Sequence, residues 1–146
     1  MLEFLARRNI ELDGSTVGDE LPFVYVFGRS SFAISFYGAN VYPENVSSGV
    51  EHPELLGHVT GKFVLEVRHD DQQNAGLYLV VELRRGESGS AGLAADIGAR
   101  VVRELIRQNS EFSSYVPEAR RTPRVELRAF GDTEYFPAGV KHRYTR

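Results

Sequence analysis

Apolar residues recur with two different periods along the chain, and these periods outline its elements. Residues 32–37, 59–68 and 77–84 alternate between apolar and polar or small side chains. A period of two is typical of strands with one buried face. In residues 91–109 the apolar positions recur every three or four residues instead, which predicts an amphipathic helix. Ser90 suits its N-cap, because the hydroxyl can accept an N–H of the first turn.

Turn-forming residues complete this outline. Pro43 suits the first turn of a helix, since its missing N–H would be unpaired there in any case, and residues 43–57 carry an apolar stripe. Gly38 ends the first strand and begins a predicted loop over residues 38–42. Residues 124–130 alternate again and predict the last strand.

The order of these elements defines the expected fold class. From residue 32 onward it is strand, helix, strand, strand, helix, strand, which is the split βαβ or ferredoxin-like arrangement. Right-handed crossovers would place both helices on one face of an antiparallel sheet. Residues 23–27 add an extra N-terminal strand, which Arg29 follows in the tight turn of a hairpin. The sequence therefore predicts an α+β fold whose second sheet face is open.

Composition excludes several classes of function. The 146 residues suffice for one domain, and 42% hydrophobic with 25% charged residues is ordinary for a soluble protein. A net charge of −3 favours neither nucleic acid nor a membrane as partner. The chain has no cysteine, its four histidines lack ligand spacing, and so neither a disulfide nor a metal site is predicted. These features predict a cytoplasmic protein.

Lysine is used sparingly. Of 17 basic residues only Lys62 and Lys141 are lysines. Arginine and lysine differ in shape and hydration, so a chain biased toward arginine would keep lysine where a compact ammonium is required. The alternative is a coding bias toward arginine in which two lysines remain by chance.

The stretch from Gly28 to Val46 carries a resemblance to a known family. It resembles the start of the C-terminal domain of adenylate-forming enzymes, above all the phenylacetate-CoA ligase group and the coenzyme F synthetase-like proteins. Seven residues match the family pattern in order and spacing: Gly28, Arg29, Gly38, Asn40, Val41, Pro43 and Val46. Ser30 and Ser31 stand around the place where the family carries its hinge aspartate. A generic hairpin followed by a helix would also use Gly and Pro in this way.

The resemblance implies roles for five residues of this stretch. Arg29 would contact the ribose or the phosphates of ATP, and Ser31 would lie at the hinge about which the domain rotates. Gly38, with Asn40 and Tyr42, would border the channel for the acyl or pantetheine group. The alternatives are an ordinary exposed arginine at position 29 and simple strand termination at Gly38.

The C-terminal residues 135–144 carry the second part of the resemblance. Acyl-CoA-forming relatives end in a Gly-Lys-x-x-Arg-like run whose lysine acts in adenylation. Lys141 and Arg143 match it best, although Gly139 precedes the lysine by two positions rather than one. The resemblance implies that Lys141 is catalytic; the alternative is a solvated basic end of the chain.

The resemblance also implies a larger enzyme. Residues 1–20 would be a linker or the remnant of an N-terminal adenylation domain, and residues 21–146 the C-terminal domain. The full enzyme would use ATP and Mg²⁺ to join a carboxylic acid to CoA or another thiol, whereas this chain alone would be inactive and without cofactor. Apolar side chains within 23–27, on the open sheet face, could support a homodimer. The alternative is a free-standing ferredoxin-like module that binds a small metabolite or itself.

Overall fold

The computed structural model of the protein describes residues 33–146. The predicted strand at 23–27, the turn with Arg29 and the hinge residue Ser31 lie outside these described residues. The elements are β1 (Ile34–Phe36), β2 (Ala39–Val41), α1 (Pro43–Val50), β3 (Val59–His69), β4 (Ala75–Leu83), α2 (Ala91–Gln108), α3 (Ser110–Tyr115) and β5 (Arg124–Arg128). Short 3₁₀ turns at Pro53–Leu55 and Glu118–Arg120 precede β3 and β5. Within 33–146 no helix is both long and apolar enough to cross a membrane.

The loop predicted for residues 38–42 is wrong, because most of it is the strand β2. β1 and β2 form a tight hairpin in which Phe36 pairs with Ala39. The two residues between them, Tyr37 and Gly38, both have left-handed backbones, with φ of 50° and 82°. A two-residue turn of this kind matches the twist of paired strands, which is why the chain returns at once as a second strand.

The main sheet has three strands in the order β3–β4–β5. β3 and β4 form the predicted antiparallel hairpin, with Leu65 opposite Leu79. β5 runs parallel to β4, because the helix α2 between them carries the chain back to the starting edge. The α+β class is confirmed, and the predicted elements follow one another in the predicted order with β2 and α3 in addition. The sheet is mixed rather than antiparallel throughout. Among the described residues β1 pairs only with β2 and does not join this sheet.

Both long helices pack on one face of the main sheet, as predicted. Most apolar residues of the predicted stripes are fully buried there: Val46 and Val50 of α1, and Ile97, Val101 and Leu105 of α2. Leu93 is only partly buried, and Leu56 is exposed. Their partners are the inward-facing residues of β3 and β4, which include Phe63, Leu65, Leu79 and Val81. Pro43 is the first residue of α1, and the hydroxyl of Ser90 accepts the N–H of Leu93 at 3.1 Å.

The opposite face of the sheet is not open, which corrects the second part of the fold prediction. Val64 and Val80 point to this face and are buried by Tyr135 and Phe136. These aromatic residues belong to residues 131–146, hereafter the tail, which folds back over the sheet after β5. An apolar pair on the outer face would cost free energy if left in water, so the tail serves as the second layer.

The helices α1 and α2 approach each other closely at Gly49. A Cβ atom built on this residue would lie 2.7 Å from the Cα of Val101. Gly49→Ala should therefore force the helices apart and lower the free energy of unfolding by about 1–3 kcal/mol, the usual cost of overpacking. Urea unfolding followed by circular dichroism measures this change.

Gly92 provides the matched control, because it also lies in a helix but a Cβ there would meet only Ser90 Oγ at 3.9 Å. Gly92→Ala should be neutral or stabilising, since alanine favours the helix by up to about 1 kcal/mol. Equal effects of the two substitutions would contradict the close approach at Gly49.

Candidate functional site

The tail that carries Lys141 is fastened to the outer edge of β3. The backbone N–H of Leu65 donates to the carbonyl of Tyr144 at 2.8 Å, and the N–H of Arg146 donates back to the carbonyl of Leu65 at 3.2 Å. Thr145 thereby forms a parallel bridge with Leu65. The edge of a sheet offers unpaired backbone groups of this kind, and the end of the chain satisfies them. Lys141 therefore belongs to a docked segment rather than to a free basic end.

His142 provides the side-chain anchor of the same segment. Its Nε2 lies 2.8 Å from the carbonyl oxygen of Phe63, so this nitrogen carries the proton and donates it. The imidazole also meets the ring of Tyr144 edge-on at 4.5 Å and tilts against Phe136 at 5.7 Å. A ring fixed on three sides holds the backbone of its neighbour Lys141, whose own side chain stays exposed.

Tyr135 fixes the start of the docked tail through a polar network. Its hydroxyl accepts a hydrogen bond of 3.0 Å from Nη2 of Arg68. Nε of the same guanidinium donates to Glu66 at 2.8 Å, and this hydrogen bond raises the pKa of Arg68 above its usual range. The guanidinium of Arg146 lies over the Tyr135 ring, 4.5 Å from its centroid. The tail is thus held at both ends.

A cavity of about 420 Å³ lies between the tail and β3, hereafter the tail cavity. Four cationic side chains line it: Lys62, Lys141, Arg143 and Arg146. Both lysines of the chain therefore meet at one place, although 79 positions separate them in the sequence. A wider groove of about 840 Å³ continues from Lys141 and Arg143 to Pro43, Glu44 and Ser47 at the start of α1.

The tail cavity is electropositive. No aspartate or glutamate is among the residues that line it. Within residues 33–146 neither Lys141 nor Arg143 has an acidic partner at ion-pair distance. Concentrated positive charge with exposed ammonium and guanidinium donors is suited to bind an anion, above all a phosphate group.

Lys62 owes its position to an irregularity of β3. Val59 pairs with Leu83 and Phe63 with Val81, so the three residues 60–62 lie opposite the single residue Glu82. Gly61 has a φ of 88°, which permits the bulge. Glu82 is fully buried, and its carboxylate accepts the hydroxyl of Thr60 at 2.8 Å.

Two further groups complete the surroundings of the Glu82 carboxylate. Nζ of Lys62 lies 3.4 Å from one oxygen, and the N–H of Gly131 donates to the other at 2.9 Å. Removal of a carboxylate from water is costly unless such partners replace the water. Glu82 thereby ties the bulge with Lys62 to the first residue of the tail.

Three other predicted site residues do not line the tail cavity. Gly38 occupies the hairpin turn, Asn40 lies in β2, and Tyr42 precedes α1; none of the three lines the tail cavity. No described atom lies within 4 Å of a Cβ built on Gly38, so its left-handed φ accounts for the glycine. The side chain and backbone N–H of Asn40 both bind Glu111, at 3.4 and 2.9 Å. Their channel roles stay predictions, as do those of Arg29 and Ser31.

Sequence reasoning did not assign Lys62, Glu82 or His142 to the site. The scarcity of lysine was a signal for Lys62, which also follows a glycine that interrupts a strand pattern. His142 has no such signal, since it is one of four scattered histidines. Glu82 reads as an outward-facing strand residue, and its burial depends on the tail that covers it. Within 33–146 no three His, Asp or Glu side chains are grouped to hold a metal ion.

Comparison with known proteins adds two solved structures. The chain is similar to a domain of phenylacetate-coenzyme A ligase from Bacteroides vulgatus ATCC 8482, with a TM-score of 0.49 and 16% identity over 78% of this chain and 90% of that one. It is also similar to an acyl-CoA synthetase from Brucella canis, with a TM-score of 0.48 and 22% identity over 80% of this chain and 18% of that one. No family model and no curated protein matches the sequence.

One of these structures is named as a domain of a phenylacetate-coenzyme A ligase and the other as an acyl-CoA synthetase, and residues 28–46 resemble the same group of enzymes. The Brucella canis chain is much longer, and this chain spans only 18% of it. Since both TM-scores lie below 0.5, functional inference depends on the chain's own residues.

Loss of the His142 anchor should loosen the tail without unfolding the domain. In His142→Ala the hydrogen bond to Phe63 and both ring contacts disappear. A hydrogen bond has a net value of about 0.5–1.5 kcal/mol, so the amides of Leu65 and Arg146 should exchange roughly two- to twelvefold faster. Hydrogen exchange followed by NMR measures these two amides.

Arg143→Ala is the control, because it truncates a neighbouring tail side chain without an ion pair among the described residues. Its Leu65 and Arg146 amides should exchange as in the unchanged protein. Unaltered exchange of these amides in His142→Ala would contradict the anchoring role.

Proposed function

We propose that the chain is the C-terminal lid domain of an ATP-dependent acid-activating ligase. The whole enzyme would form an acyl-adenylate from a carboxylic acid and ATP, then transfer the acyl group to CoA or another thiol. Residues 21–146 would form the lid, and an adenylation domain preceding it would bind ATP, Mg²⁺ and the acid. The coenzyme F synthetase-like proteins share the motif of residues 28–46, so the proposed ligase could belong to that group as well as to the phenylacetate-CoA ligase group.

The observation that carries this proposal is the setting of Lys141. The lysine that matches the adenylation lysine of the family stands on a docked segment and lines a cavity without acidic residues. His142 restrains its backbone, while its ammonium stays exposed to a partner surface. A flexible, solvated basic end would have neither feature. The match of seven residues between Gly28 and Val46 supports the same family independently of the tail.

The chemistry explains why a lysine would be needed there. When the carboxylate oxygen attacks the α-phosphorus, a P–O bond forms and the bond to the leaving pyrophosphate breaks. Negative charge spreads over the reacting oxygens in the transition state. An ammonium held close to them stabilises that charge without the cost of reorganising water. Lys141 would supply this point charge when the lid closes on the adenylation domain.

Lys141→Ala in the intact ligase tests this role. Acid-dependent adenylation, measured as ATP–pyrophosphate exchange, should slow by roughly two to three orders of magnitude, because one preorganised donor is worth about 3–4 kcal/mol of barrier. The thermal unfolding of the isolated chain should not change, since Lys141 is exposed and has no ion pair within residues 33–146. The thioester-forming step, started from supplied acyl-adenylate, should be much less affected, since relatives withdraw this lysine before the thiol attacks.

Arg103→Ala is the matched control for lost positive charge. Arg103 is exposed on α2 and does not line the tail cavity, whereas Lys62 and Arg143 both do. If Lys141→Ala slows adenylation no more than Arg103→Ala, the catalytic role of Lys141 is wrong.

The isolated chain should have no adenylating activity of its own. Its sequence contains no Gly-rich phosphate loop of the kind that cradles a nucleotide. Pyrophosphate exchange should stay at background with a panel of aryl and acyl acids. Exchange by the purified 146-residue chain, dependent on any of these acids, would contradict a two-domain enzyme.

A further inference from the structure

Lys62 and Lys141 come to the tail cavity from unrelated parts of the fold. Lys62 lies in the bulge of β3, whereas Lys141 lies on the docked tail. Elsewhere the chain uses arginine for every positive side chain. The coincidence of both compact ammonium groups at one cavity is not explained by the sheet or by either hydrophobic core.

Glu82 explains how Lys62 is aimed at the cavity. Its buried carboxylate lies 3.4 Å from Nζ, close enough to orient the side chain. Half of the Lys62 side chain remains exposed, at 49%. Thr60 and Gly131 already donate to the same carboxylate, at 2.8 and 2.9 Å. Lys62 is therefore held on one side, while its other N–H donors remain available to a ligand.

We propose that Lys62 is a second phosphate-binding residue of the tail cavity, and that the cavity binds a diphosphate group between Lys62, Lys141 and Arg143. This inference rests on the proposed function, and it names the pyrophosphate end of the adenylation chemistry as the ligand of this domain. Lys62 acts by binding and needs no role at the reacting phosphorus.

Charge and size favour a diphosphate over a smaller anion. Four cations line the cavity, and even after one of them is offset they exceed the charge of about −2 on one phosphate monoester. The buried Glu82 offsets about one of the positive charges, so the site keeps an excess suited to a multiply charged anion. A cavity of about 420 Å³ is at the small end of ligand sites and is open enough for a solvated diphosphate.

Titration of the 146-residue chain with inorganic pyrophosphate tests the proposal directly. We expect saturable shifts of the NMR amide signals of Lys62, Gly139 and residues 141–143, with a dissociation constant measured by calorimetry at fixed salt. Lys62→Gln should weaken binding about tenfold, since one charge-assisted contact to phosphate is lost. Arg103→Gln removes an exposed charge outside the cavity and should change the constant less than twofold.

A second pair of variants guards against loss of the fold. Lys62→Gln leaves Glu82 with only Thr60 and Gly131 as partners and could destabilise the sheet. The double variant Lys62→Gln with Glu82→Gln removes the buried negative charge as well. Arg143 lies on the exposed tail, so Arg143→Gln leaves the hydrogen bonds of Glu82 intact. Arg143→Gln should weaken pyrophosphate binding as Lys62→Gln does. The double variant should weaken it by less, because it loses one contact to the ligand while the net charge of the site is unchanged.

The source of the diphosphate follows from two further titrations. Tighter binding of ATP than of pyrophosphate would identify the nucleotide as the ligand, and the reverse would identify the released product. AMP, with one phosphate, should bind at least tenfold more weakly than either.

Three outcomes would overturn the proposal: no saturable binding of pyrophosphate, equal constants for Lys62→Gln and Arg103→Gln, or AMP binding as tight as pyrophosphate. The result is separate from the adenylation test. Pyrophosphate binding without an effect of Lys141→Ala on exchange would leave the anion site standing and reject the catalytic lysine. An effect of Lys141→Ala on exchange without pyrophosphate binding would support the catalytic lysine and reject the anion site.

Discussion

The buried carboxylate of Glu82 is the interaction on which both the second sheet face and the tail depend. It lies among apolar strand residues, where an unpaired charge would be strongly unfavourable. Its partners come from three places: the hydroxyl of Thr60, the ammonium of Lys62 and the backbone N–H of Gly131. The bulge in β3 and the start of the tail must therefore both be formed before this carboxylate is satisfied.

The docked tail both covers the outer face of the sheet and positions Lys141. Tyr135 and Phe136 cover Val64 and Val80, which would otherwise expose apolar surface on the outer face. The same segment then crosses the edge of β3, and Lys141 is brought to a cavity against Lys62. In the proposed lid role, Lys141 would have to be mobile with its domain yet fixed within it. Docking onto the domain's own sheet meets both requirements, because the segment moves as part of a rigid body.

Local patterns predicted the elements because their causes are local. Periodicity located α2, β3 and β4 to within a few residues, and Pro43 and Ser90 located two helix starts. The prediction was wrong where two residues decided the path: Tyr37 and Gly38 turn the chain back as a strand, whereas a glycine at a strand end usually begins a loop. The sequence analysis also did not predict the parallel pairing of β5 with β4, because the periodicity of a strand does not specify which strand it pairs with.

By itself the sequence determined the α+β class, the helix-covered core and the family resemblance of residues 28–46. It also singled out Lys141 and the scarcity of lysine, since residue type and spacing are properties of the chain. Only the tertiary structure decided that the tail covers the sheet, that Glu82 is buried and that Lys62 meets Lys141. Lys62 and Lys141 are 79 positions apart, and they meet only because the whole tail docks on the sheet. The free energy of this docking depends on contacts between distant segments, so a local sequence pattern does not predict it.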